Sequence, residues 1–86
     1  MTDQKVMKNL LFVSLMKRAE LFHQWADRIE ARDNPPAERI AAARRGIEFQ
    51  MERDLKWVAQ ENPVITMDMI ESLNLVISEV RTKLSA

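Results

Sequence analysis

The 86-residue chain contains no cysteine and no tyrosine, one glycine and three prolines. Each scarcity excludes something. Without cysteine there is no disulfide framework and no thiol nucleophile, and the composition fits a reducing compartment. With a single glycine there is no Gly-rich loop to cradle a phosphate, and too little turn chemistry to build hairpins. Absent tyrosine and few β-branched clusters leave no plausible pair of strands. Charge of one sign is lacking too: thirteen basic and thirteen acidic side chains cancel, so no global field draws nucleic acid or an anionic membrane. No apolar run approaches the ~18–20 residues of a membrane span. The stretch Leu10–Leu15 after Lys5 and Lys8 is too interrupted, by Ser14, and has no small-residue cleavage site after it, so it is not read as a signal peptide. A cytoplasmic protein is expected.

What remains is helix-forming sequence broken twice, at Asp33-Asn34-Pro35-Pro36 and at Asn62-Pro63-Val64-Ile65-Thr66. The pattern predicts one all-α domain spanning residues 1–86, with helices over about 3–32, 35–60 and 67–83. Asn34 is the expected N-cap of the second helix, with a proline in its first turn, and Thr66 that of the third, with Asp68 near its positive end. Short connections predict antiparallel neighbours in a three-helix bundle with a long N-terminal helix. The first helix carries a seam at alternating three- and four-residue steps, Phe12, Leu15, Ala19, Phe22, Ala26 and Ile29. The second presents Ile40, Ile47, Met51, Leu55 and Val58, and the third Met69, Ile70, Leu73, Val76, Ile77, Val80 and Leu84.

The first helix also holds more apolar side chains than one stripe can contain. Val6, Met7, Leu10, Leu11, Phe12, Val13, Leu15 and Met16 wrap most of the way round at ~100° per residue. A chain of this size has a marginal core and little material to cover a helix from every side. Val6, Leu10, Val13 and Leu21, on the side away from the seam, are therefore the expected self-association surface of a homodimer that completes a larger helical bundle.

Phe49 and Trp57 lie eight residues apart, off the main core face of the second helix, as aromatic anchors for a protein partner do. Arg53, four residues before Trp57, is placed to stack on its ring. These three residues form the expected partner surface. Gly46, in mid-helix, suggests a close helix crossing, and the six methionines suggest adaptable apolar filling.

Chemistry finds little purchase. Glu20-Leu21-Phe22-His23 has the Glu-x-x-His spacing of ferritin-like di-iron helices, but those need a second such motif and further carboxylates, and His23 is the only histidine. It reads as an amphipathic edge residue; no metal and no cofactor are expected. Ser14, Ser72, Ser78 and Ser85 have only His23 as a base, so no catalytic residues are assigned and the protein is not read as an enzyme. Arg39, Arg44 and Arg45, with Arg28 and Arg32 on the preceding helix, form the one basic concentration. They support an alternative reading as a nucleic-acid-binding transcriptional regulator, weakened by the interleaved Glu30, Asp33, Glu38 and Glu48. Arg44 and Asp54, near the core seam of the second helix, are candidates for fixing register. The favoured function is a small, non-catalytic helical protein–protein interaction module: an adaptor, inhibitor or regulator acting as a homodimer or on a protein partner.

Overall fold

The computed structural model describes residues 3–86. Three helices account for nearly all of them, α1 over Gln4–Asp33, α2 over Ala37–Glu61 and α3 over Met67–Ser85, and no strand occurs among the described residues. The fold is all-α. No helix among the described residues is long and apolar enough to cross a membrane. At ~1.5 Å per residue α1 is about 45 Å long.

Both connections leave their helix through an asparagine followed by proline. Proline disfavours the right-handed helical conformation of the residue before it, so α1 and α2 stop at Asn34 and Asn62. These are the two non-glycine residues with positive φ among the described residues, at 46° and 48°, a conformation that asparagine tolerates better than most side chains. Asn34 thus closes α1, its N–H donating to Glu30 O at 3.1 Å, instead of opening α2 as expected. α2 starts from Pro36, whose carbonyl accepts from Arg39 N and Ile40 N and which supplies no side-chain cap. Thr66 does cap α3, its hydroxyl accepting from Met69 N at 3.3 Å. Asp3 caps α1 by accepting from Lys5 N.

Pairs across α1 and α2 run in opposite senses: Lys8 with Asn62, Arg18 with Asp54, His23 with Glu48, Asp27 with Arg44. Pairs across α1 and α3 climb together: Gln4 with Ile65 just ahead of α3, Ser14 with Asn74, Arg28 with Leu84. Two reversals bring α3 back to the direction of α1, so α1 runs antiparallel to α2 and parallel to α3. α1 packs against both other helices, whereas no residue pair brings α2 and α3 to backbone packing distance.

The consequence is an open array with α1 in the middle. The Cα extents are 49 × 28 × 13 Å. Three helices closed into a triangle at the usual ~8–10 Å spacing would be about as thick as wide. This one is about twice as wide as it is thick, closer to a layer than to a triangle. The core concentrates where the 62–66 connection crosses the start of α1. Val58 and Ile65 are 1% exposed there, among Met7, Leu11, Ile70 and Leu73. Gln4 secures that connection with its side-chain amide, donating to Ile65 O at 3.0 Å and accepting from Ile65 N at 2.8 Å. Toward the other end a cavity of about 200 Å³ opens between Phe22, Trp25, Ala26 and Ile29 of α1 and Ile40, Ala43 and Ile47 of α2.

Candidate functional site

Two surfaces stand out. On α1, Val6, Leu10, Val13 and Met16 remain exposed, Val13 to 66%. They lie on the side of the helix that neither α2 nor α3 covers. Leu21 is the exception among the four residues expected there, being 5% exposed within the core. The reason is its register. Met7, Ser14, Leu21 and Arg28 recur every seven residues and so share one line on the helix. That line faces α3: Met7 is buried, Ser14 Oγ donates to Asn74 Oδ1 at 3.0 Å, and Arg28 donates to the carbonyls of Lys83 and Leu84 at 2.7 and 2.9 Å and to that of Ala86. Leu21 sits between Ser14 and Arg28 on this line and is closed over by α3.

Arg28 is the most heavily used polar side chain of the molecule and was not foreseen beyond its share in a basic cluster. Its guanidinium lies 5.8 Å from the Trp25 ring centroid, while its fork donates to carbonyls at the end of α3, where helical partners run out and the Lys83 carbonyl has only a long 3.4 Å bond from Ala86 N. A cation at a helix C-terminus also meets the negative end of the helix dipole. The seven-residue spacing from Met7 through Leu21 was legible; the acceptors on α3 were not.

The second surface is on α2. Phe49, Arg53 and Trp57 follow one another at four-residue steps and are all exposed, Phe49 to 67%. Phe49 and Arg53 border a shallow hollow of about 210 Å³ with Glu52 and Lys56. Trp57 borders a different one of about 230 Å³, in the groove between α2 and α3, whose floor is Leu11, Leu15 and Arg18 and whose far wall is Met69 and Leu73. The expected stacking of Arg53 on Trp57 is not formed. Arg53 Nε lies 3.8 Å from Asp54 Oδ1, and the cation–ring contact among the described residues is that of Arg28 with Trp25.

Several of the remaining charges are engaged within the chain. Arg18 and Asp54 pair at 2.7 Å, and Arg44 pairs with Asp27. Both seam-edge residues of α2 therefore tie it to α1. Arg32 bonds Asp33, and that hydrogen bond holds the Asp33 carboxyl below the ordinary aspartate range. With Arg28, Arg32 and Arg44 committed, the basic concentration is reduced to Arg39 and Arg45, which form no ion pair among the described residues. His23 Nε2 lies 2.6 Å from Glu48 Oε1 on α2, while Glu20 pairs weakly with Lys17 at 3.5 Å, so the Glu-x-x-His residues turn to different partners. Gly46 has no neighbouring atom within 4 Å of where a Cβ would stand. The close helix crossing expected there is absent because α2 packs through its other side.

Comparison with known proteins brings no relative to bear: no protein-family model matches the chain, and no curated protein or solved structure matches it significantly.

Proposed function

We propose that this chain is a small, non-catalytic helical interaction module that works as a homodimer, using the uncovered side of α1 for self-association and the α2 surface for a protein partner. The observation that carries the reading is the open array itself. A central helix flanked on two sides only keeps Val6, Leu10, Val13 and Met16 in water, and a second copy laid on that side would complete a larger bundle. Phe49, Arg53 and Trp57 form a separate surface on α2, with two aromatic anchors and charged rims, as in the docking of one helix face on another protein. An adaptor, inhibitor or regulator fits these properties; in the one basic concentration, Arg28, Arg32 and Arg44 are engaged within the chain, which disfavours a nucleic-acid reader.

Light scattering over a dilution series tests self-association. The wild type is expected at the mass of two chains, and a Leu10→Glu, Val13→Glu variant at the mass of one with its helical circular dichroism unchanged. A folded wild-type monomer at every concentration would sink the homodimer.

A further inference from the structure

The uncovered side of α1 carries an order of residues that selects one way for two copies to meet. Asp3, Val6, Leu10, Val13 and Lys17 follow at steps of three, four, three and four, so they form one line down the helix. The line is acidic at its first position, apolar at the middle three and basic at its last. It spans about 21 Å at ~1.5 Å per residue. Asp3 is exposed, and its Oδ1 accepts from Lys5 N at 2.9 Å, its other oxygen having no partner among the described residues. Among the described residues Lys17 has the long 3.5 Å contact to Glu20 as its one ion pair.

Resting on the homodimer reading above, we propose that two copies pair through α1 in opposite directions about a two-fold axis at Leu10, with Asp3 of each copy on Lys17 of the other. In that arrangement Leu10 meets Leu10, Val6 meets Val13, and an acid–base pair closes each end of the apolar contact. The continuation of the same line, through Glu20 to Asp27, overhangs the contact and stays in water. Parallel, in-register pairing would instead set Lys17 on Lys17, Glu20 on Glu20 and Asp27 on Asp27, and like charges directly opposed are unfavourable. The seam is thus self-complementary in one orientation only. Its short apolar length places the dimer at the weak end of specific interfaces.

The absence of native cysteine makes the test clean. Val6→Cys and Val13→Cys chains, one isotopically labelled, are mixed and equilibrated in a glutathione redox buffer, and the disulfides are counted by mass spectrometry. A disulfide needs Cα atoms within about 7 Å, so opposed pairing yields the mixed Val6→Cys to Val13→Cys link as the dominant species. Dominant links between identical variants would overturn the orientation while leaving the homodimer standing. A wild type that is monomeric by light scattering overturns both. Charge exchange supplies a second readout. Asp3→Lys and Lys17→Glu chains should each self-associate about tenfold more weakly than wild type, yet pair with one another when mixed, because both ends are then complementary. Failure of the mixture to associate more tightly than either variant alone counts against the pairing.

Discussion

Gly46 is the residue at which the chain gives up stability with no visible return. It sits inside α2 with ordinary helical backbone and open space where a side chain would go. Glycine costs ~1 kcal/mol relative to alanine in such a position, mostly through the freedom of the unfolded chain. Gly46→Ala should therefore stabilise the protein by about 1 kcal/mol, raising the thermal midpoint by roughly 4–8 °C in a domain of this size. A circular dichroism melt at fixed protein concentration measures it. An unchanged or lower midpoint would show that the position is held by something outside the chain. Leu21 makes the opposite case: being buried against α3, Leu21→Ala should cost about 2–5 kcal/mol. Its effect should appear in chemical denaturation of the fold, whereas Leu10→Glu and Val13→Glu act on association.

For the helices as elements, the end of α3 depends on α1. Arg28 takes up the carbonyls of Lys83 and Leu84 in the last turn of α3 and that of Ala86 just past it; the Lys83 carbonyl otherwise has only a long 3.4 Å bond from Ala86 N. Arg28→Ala should fray the final turn of α3 and destabilise the fold by about 1–2 kcal/mol, read by faster amide exchange over residues 80–85 with α2 little affected. Arg28→Lys keeps the charge but not the planar fork, so it should recover only part of the protection. Full recovery by lysine would reduce the role of Arg28 to charge alone. The other end of the array is secured differently, by the Gln4 amide on the backbone of Ile65 and by the burial of Ile65 and Val58. α3 is thus held to α1 at both ends, while its backbone stays beyond packing distance of α2.

At the scale of the whole molecule, the arrangement around α1 explains why so much apolar surface survives in a chain with a core. Phe49, Val13 and Leu75 are each more than 60% exposed. A closed triangular bundle would give each helix two neighbours, whereas here only α1 has two, and α2 and α3 keep one each. Scattered exposed apolar residues are normal on soluble proteins; a line of them at helical spacing, ended by opposite charges, is more specific.

Much of this was legible in the residues. Asn34-Pro35-Pro36 and Asn62-Pro63 set the two breaks because the proline ring bars the preceding residue from continuing a helix, and Thr66 advertised its cap by side-chain chemistry alone. Local rules of this kind need only neighbours in sequence, so the all-α class and three long helices could be read directly. They did not settle which helix Asn34 serves, since asparagine suits both a cap and a left-handed turn. The destinations of the helix faces were decided by tertiary structure. Leu21 and Leu10 look alike on a helical wheel, but one is covered by α3 and the other is not. Arg53 and Arg28 both follow the spacing that puts a cation near an indole, yet only Arg28 sits over its ring. Periodicity fixes which side chains share a face. What that face meets depends on where the chain reversals carry the other helices, and here they carried α2 and α3 to separate sides of α1.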